Sequence, residues 1–344
     1  MLYPIIDNVQ FDLNVTCNAF CPGCHRYAFK DDKMYLNPYL TFNTSVDLSV
    51  IENIVQNPRL ADDVWLDFVG LVGEPVAHKQ FLEITDIVYK YKPNAVIQIH
   101  TNGGLRSTEF WEELAPKIMR QDAASSVVFS IDGLEDTNNT YRIGVLWEKV
   151  MENAKAYIDA GGRATWKCIE FPWNSHQKDE IQQLANSMGM QKFRWEPNRD
   201  ADSERMIKYM KAAKEFHKKT KIDSEDFNIT NEDSNYPGTK NLNAEIGNQY
   251  NSFTEIEDQC FSQKTIYVNY DGRVLPCCQF NGSTTDPAFK EEMIPFIYDG
   301  NDKDWNNLYK NSLEDVLTNS WWTRLYSSLT DTPCSVCVSA CEKR

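Results

Sequence analysis

The chain has 344 residues, 42% hydrophobic and 25% charged, with 50 acidic against 35 basic side chains and a formal net charge of −15. That length supports one large core or a large domain beside a small one, and the composition excludes a disordered or collagen-like chain. The acidic excess repels polyanions, so nucleic acid is disfavoured as a substrate, and no basic stripe offsets it. The segment Met1–Asp7 has no basic stretch ahead of an apolar run, and no run approaches the ~18 apolar residues of a membrane span. Ten cysteines in such a chain read as metal ligands or catalytic groups rather than disulfides, and a cytoplasmic location is expected.

In chain order, β-rich runs at Val9–Val15, Val64–Val69, Ala95–Thr101, Ser126–Ile131, Ala164–Glu170 and Lys192–Trp195 predict six strands. Between them, Val50–Val55, Phe81–Tyr91, Glu109–Met119, Trp147–Ile158 and Ile181–Met188 repeat apolar residues near the helical period. The alternation predicts a parallel α/β sheet with right-handed crossovers, either a closed or partial barrel or an open doubly wound sheet. In each case the chemistry belongs on loops at the C-terminal strand ends. A helix is predicted over Ser203–Thr220, followed by a polar connection over 221–258. Thr265–Asn269 and Arg273–Leu275, around Asp271-Gly272, read as a hairpin, and a last helix is expected over Leu313–Leu329.

Chemistry first appears in Cys17-Asn18-Ala19-Phe20-Cys21-Pro22-Gly23-Cys24, directly after the first predicted strand. Three thiols from one loop can hold three irons of a cubane and leave the fourth open to an outside ligand. The plainer alternative is a zinc knuckle. Further on come Gly73-Glu74-Pro75 after the second strand, Thr101-Asn102-Gly103 after the third, and Ser130-Ile131-Asp132-Gly133 with Tyr141-Arg142 after the fourth. Taken alone, Thr101 and Asn102 read as strand-end turn chemistry.

The Cys-x3-Cys-x2-Cys spacing and these segments, in this order, resemble the radical S-adenosylmethionine (radical SAM) superfamily from about Val9 to Trp195. Many members carry an aromatic residue where this chain has Gly23. The resemblance implies a partial (β/α)6 TIM-like barrel with a [4Fe–4S] cluster on Cys17, Cys21 and Cys24. It also implies a SAM site in which Gly73 and Glu74 meet the amino group, Ser130 the ribose hydroxyls and Arg142 the carboxylate.

A second group comprises Cys260, eleven residues, Gly272, four residues and Cys277, then Cys334-Ser335-Val336-Cys337 and Cys341. Four thiolates there could close a zinc ribbon. The first half is similar to the SPASM/Twitch extension of the superfamily, which implies one auxiliary [4Fe–4S] cluster on Cys260, Cys277, Cys334 and Cys337. Cys341 stands in reserve, and Cys278 is expected to be a neighbour that cannot turn to the same iron.

The resulting expectation is a radical SAM core over residues 1–220, a polar linker over 221–258 and a small Twitch-like iron–sulfur domain over 259–344. Such an enzyme cleaves SAM reductively to a 5′-deoxyadenosyl radical that abstracts a substrate hydrogen. It draws on an external electron donor of the flavodoxin or ferredoxin type. The substrate is read as a peptide or protein residue, with a small-molecule dehydrogenase or rearrangement enzyme as the alternative and a non-catalytic iron–sulfur or zinc protein as a further one. Cys168, isolated on the fifth strand, is either a buried core residue or, if it points into the barrel, a hydrogen donor. Trp173, Asn198, Arg199 and Asp200 are placed near strand ends on the substrate side.

Overall fold

The protein is represented by a computed structural model that describes residues 3–119, 124–198, 203–220, 256–257, 259–280, 302–331 and 333–341. From the N-terminus come β1 (Ile6–Phe11), the short hairpin β2 (Tyr27–Lys30) and β3 (Lys33–Leu36), α1 (Leu48–Val55), β4 (Leu60–Phe68) and α2 (Phe81–Tyr91). The alternation continues through β5 (Val96–Thr101), α3 (Thr108–Ile118), β6 (Ser126–Ser130), α4 (Asn138–Tyr141), α5 (Trp147–Asp159), β7 (Ala164–Glu170), α6 (Lys178–Met188), β8 (Lys192–Pro197) and α7 (Ser203–Thr220). After residue 255 come α8 (Gln259–Ser262), β9 (Thr265–Val268), β10 (Val274–Leu275), α9 (Leu313–Thr318), α10 (Ser320–Asp331) and α11 (Ser335–Cys341).

Eight strands form one sheet in the order β10-β9-β1-β4-β5-β6-β7-β8. From β1 to β8 every neighbour is parallel and the order never reverses. A doubly wound sheet has a reversal point, so this order fits a partial (β/α)6 barrel instead. All the loops that follow these parallel strands therefore leave the same edge. The C-terminal hairpin is built as the sequence predicts, with Gly272 at φ 80° in its turn. Its first strand pairs in parallel with β1, so the segment carrying Cys277 is hydrogen-bonded onto the core sheet.

Two faces of the sheet differ in chemistry. Val9, Phe11, Leu66, Phe68, Ile97, Ile99, Val127, Phe129 and Trp166 point to the helix side and are buried. Phe68 meets Phe81 of α2 with ring centroids 5.4 Å apart, and Trp111 of α3 meets Phe129 at 5.4 Å. Residues one step out of phase, among them Asn8, Gln10, Asp67, Gln98, His100, Ser130 and Lys167, occupy the opposite, inner face. A sheet polar on its concave side and apolar under its helices suits a barrel whose interior receives a polar ligand.

Several boundaries move relative to expectation. The first strand ends at Phe11, because the Asp12 carboxylate turns to accept the Leu71 amide at 2.7 Å and the Tyr267 hydroxyl. The β2–β3 hairpin was not expected: its turn residues Asp31 and Asp32 have φ of 50° and 57°, positions normally signalled by Asn or Gly. The predicted helix over Leu313–Leu329 is two helices. Asn319 breaks it with ψ 138°, and its side-chain oxygen accepts the Trp321 amide at 2.7 Å, capping α10. The polar connection predicted over 221–258 lies almost wholly outside the described residues. No described helix is long and apolar enough to cross a membrane.

An aromatic cluster fastens α10 to the start of the chain. Trp322 is 1% exposed, meets Tyr3 edge-on at 5.3 Å and donates its indole N–H to the Val316 carbonyl at 2.8 Å. Trp321 packs against Trp305 at 4.8 Å. Trp322→Ala is expected to destabilise the fold by about 3–5 kcal/mol in denaturant unfolding. A loss below about 1 kcal/mol would show that this cluster does not anchor the C-terminal helices.

Candidate active site

The loop after β1 carries the first thiols and is held by a buried cation. Arg26 is 1% exposed and donates to the Val15 carbonyl at 2.9 Å, the Cys17 carbonyl at 3.0 Å and the Tyr27 hydroxyl at 2.7 Å. Tyr27 in turn donates to the Ala19 carbonyl at 3.1 Å. Backbone amides aim at sulfur as well: Ala19 N–H reaches Cys17 Sγ at 3.4 Å and Arg26 N–H reaches Cys24 Sγ at 3.4 Å. Such N–H···S contacts stabilise thiolates and tune iron–sulfur centres.

Burial pushes the Cys17 thiol up to about 12 and the Cys21 and Cys24 thiols up to about 11, although Arg26 and Arg142 pull in the other direction. Without metal these thiols are neutral, so ligation must release their protons.

Three further loops bring their motifs to the same place. Gly70 sits at φ 62°, where an added Cβ would lie 2.7 Å from the Gly73 carbonyl oxygen. At Gly73 a Cβ would stand 1.9 Å from the Asn14 carbonyl oxygen, so only glycine permits this approach of the Gly-Glu-Pro turn to the thiol loop. Glu74 N–H donates to the Thr16 carbonyl at 2.7 Å, and Asn14 Nδ2 donates to the Glu74 carbonyl at 3.0 Å. The Glu74 carboxylate is buried. Its Oε2 accepts the Asn102 amide at 2.9 Å, while Oε1 has no partner among the described residues. Burial raises its pKa from 4.5 to about 7.

Asn102 does more than end a strand. Its Oδ1 accepts the Gly104 amide at 2.8 Å, which is the expected turn chemistry. Its Nδ2 also donates to Asn18 Oδ1 at 2.7 Å and approaches Cys17 Sγ at 3.6 Å. Asn18 and Arg26 belong to this arrangement although motif spacing did not single them out, while Asn102 and Tyr141 stood in the quoted segments without a site role.

Arg142 donates through Nε to the buried Asp132 carboxylate at 2.6 Å and through Nη1 to Cys21 Sγ at 3.7 Å. Burial alone would lower its pKa, but Asp132 and Cys21 outweigh that and hold it more firmly protonated. With Nε occupied, the terminal nitrogens are the edge left to a ligand carboxylate. Asp132 Oδ1 accepts the Ile169 amide at 2.7 Å, so β7 fixes the pair.

Cys17, Cys21, Cys24, Gly73, Glu74, Ser130 and Arg142 all line one cavity of about 190 Å³, together with Asn102, His100 and Tyr141. A Cβ at Gly23 would lie 2.9 Å from the Tyr141 hydroxyl. Tyr141, backed by Phe171 at 4.6 Å, thus occupies space above Gly23 where a larger side chain would have to fit.

Two of the later cysteines are in direct contact. Cys334 Sγ donates to Cys337 Sγ at 3.4 Å. The Cys337 pKa is raised by that contact, by burial, and by Cys277 and Cys260; the Cys277 thiol is raised by burial and then by Cys260. Cys341 is raised by burial and then by Cys334. Cys278 differs: burial, then Asp12 and Asp67, push it up to about 11. Among the described residues no three His, Cys, Asp or Glu side chains converge on a single metal-ion position.

Cys168 shares its strand face with Trp166, which packs on Trp147 of α5 at 6.1 Å. Its thiol takes the Asn174 amide at 3.7 Å and donates to the Ile169 carbonyl at 3.7 Å. It therefore lies on the helix side, and the condition for its reading as a hydrogen donor, a side chain pointing into the barrel, is not met. Trp173 stacks on Phe171 at 4.5 Å, while Arg199 and Asp200 lie outside the described residues.

The family model of the radical SAM superfamily matches residues 13–171. Among solved structures, native anSMEcpe with bound AdoMet is 13% identical with a TM-score of 0.52, over 92% of this chain and 82% of that one. Streptococcus suis SuiB bound to precursor peptide SuiA is 14% identical with a TM-score of 0.53, over 92% of this chain and 65% of that one. Native anSMEcpe with bound AdoMet and Cp18Cys peptide is 14% identical with a TM-score of 0.51, over 92% of this chain and 81% of that one. No curated protein matches the sequence. The family match spans the thiol loop, Glu74, Ser130 and Arg142 alike, and a superfamily domain of this kind over residues 13–171 makes the chain an enzyme.

Proposed function

We propose that Cys17, Cys21 and Cys24 hold a [4Fe–4S] cluster, and that Glu74, Ser130 and Arg142 hold SAM against it for hydrogen abstraction from a peptide or protein residue. The single observation that carries this reading is the shared cavity, where three thiols meet an unpartnered carboxylate oxygen and a guanidinium edge. That donor set fits the groups: soft thiolates suit iron, and the carboxylate and guanidinium suit the ammonium and carboxylate of an amino-acid headgroup. We further assign Cys260, Cys277, Cys334 and Cys337 to one auxiliary [4Fe–4S] cluster in a Twitch-like unit. The mutual influence of these thiols supports that assignment. Likeness to structures solved with peptides supports the substrate class.

When bound, a cluster on Cys17, Cys21 and Cys24 would supply the one-electron reduction that splits SAM into methionine and a 5′-deoxyadenosyl radical, with the electron coming from a flavodoxin- or ferredoxin-type donor, and one on Cys260, Cys277, Cys334 and Cys337 would supply an electron acceptor. The protein's part is positional. Glu74 Oε1 accepts the ligand ammonium while Asn102 pins Oε2. The Arg142 terminal nitrogens take the carboxylate while Asp132 orients them. The Ser130 hydroxyl meets the ribose. Tyr141 and Phe171 exclude water above the thiol loop.

Anaerobic reconstitution is expected to load about eight irons per chain and, with SAM and a reductant, to release 5′-deoxyadenosine. The double variant Cys334→Ala/Cys337→Ala is expected to keep about four irons, and Cys17→Ala to abolish SAM cleavage. Stoichiometric zinc without SAM cleavage would contradict the assignment.

Glu74 adds a pH dependence. Its folded pKa of about 7 lies above the ordinary 4.5, so its contribution to the ligand-free fold is fullest below 4.5 and is lost as pH rises through 7. The ligand ammonium needs the ionised form. SAM affinity should therefore rise by up to about tenfold between about pH 6 and about pH 8, and Glu74→Gln should weaken binding and flatten the profile. A wild-type profile as flat as that of the variant would remove Glu74 from the ammonium site.

A further inference from the structure

Below the cofactor cavity, the inner face of β9, β1 and β4 carries acceptor atoms that the SAM site does not use. Asn8 Oδ1, Gln10 Oε1, Asp67 Oδ1 and Thr265 Oγ1 are each buried without a hydrogen-bond partner among the described residues. Strand register makes them one patch, since Asn8 pairs with Thr265 and Gln10 with Asp67. Thr265 is 5% exposed, and the Asp67 side chain is 16% exposed.

The patch is continuous with the cavity through His100. His100 lines the cavity, and its Nε2 lies 3.1 Å from Asp67 Oδ1. That distance is of ion-pair length, yet the directed hydrogen bond of the same nitrogen goes to Gln98 Oε1, also at 3.1 Å. The cations on the same face are committed elsewhere: Lys167 lies 3.1 Å and Arg194 2.5 Å from the Glu196 carboxylate. Asp12 is occupied by Tyr267 and the Leu71 amide.

A buried carboxylate oxygen beside three further unpartnered oxygens is matched by a group that brings several N–H donors and positive charge. We propose that this patch is the substrate end of the cavity, and that the substrate group entering it is rich in N–H donors: a protonated amine, a guanidinium or a primary amide. This rests on the radical SAM reading above and adds the chemistry of the substrate to it.

Ethylguanidinium and propionate, followed by saturation-transfer NMR with the full-length reconstituted chain saturated with SAM so that Glu74 and Arg142 are filled, serve as probes. Wild type should bind ethylguanidinium and not propionate. Asp67→Asn should weaken ethylguanidinium by about tenfold and Gln10→Glu should tighten it. If Asp67→Asn fails to fold, the Gln10→Glu comparison alone decides. Equal binding of both probes, or no response to either substitution, would show that the patch holds ordered water only and would overturn the proposal. These binding constants need no turnover, so failure to release 5′-deoxyadenosine would strike the radical SAM reading and leave them untouched.

Discussion

The side chain of Asn102 is the point at which the candidate centre is tied together. Its amide nitrogen donates to Asn18 in the thiol loop and approaches Cys17, its oxygen holds the turn at Gly104, and its backbone N–H fixes Glu74. Loops from three neighbouring strands thus meet on one residue. Each of these groups is buried, and leaving one unpaired costs about 1–3 kcal/mol, so the contacts form together or not at all. The consequence is preorganisation. Of the two Glu74 oxygens, one is spent on the protein and one is kept for a ligand.

This arrangement depends on strand order. A sheet that runs from β1 to β8 without reversal places the loops after β1, β4, β5 and β6 side by side at one edge. The alternation of strands and helices was legible in the apolar spacing, because buried strands under helices read as short apolar runs. The choice between an open sheet and a barrel was not legible from spacing alone, since both give the same local pattern; it came first from family resemblance and then from the pairing. The break at Asn319 was hidden because apolar spacing continues through it, although Asn-Ser is a reasonable capping signal. The β2–β3 turn was hidden because Asp31-Asp32 is an uncommon way to take two left-handed residues.

At the candidate site, the sequence pointed to residues that carry a local signature and not to the residues that hold them in place. Cysteine spacing and Gly-Glu-Pro are local patterns, so Cys17, Cys21, Cys24, Gly73 and Glu74 could be read directly. Asn18 and Arg26 lie inside or beside the same loop, but their value comes from partners distant in sequence, such as Asn102 and Val15. Asp132 was visible in its motif, and only the fold shows that it takes Nε of Arg142. Cys168 illustrates the opposite case. One step of strand phase decides whether it faces the barrel or the helices, and Trp166 settles the phase.

Electron paramagnetic resonance of the reduced, reconstituted chain before and after SAM addition tests the central claim most directly. A cluster on Cys17, Cys21 and Cys24 with one open iron should give a [4Fe–4S]⁺ signal that shifts when SAM binds. That SAM-sensitive component should persist in Cys334→Ala/Cys337→Ala and vanish in Cys17→Ala, where a SAM-indifferent signal from the distal cysteines remains. A spectrum with no SAM-sensitive component, or a SAM-sensitive component that survives Cys17→Ala and is lost with the distal cysteines, would contradict the account.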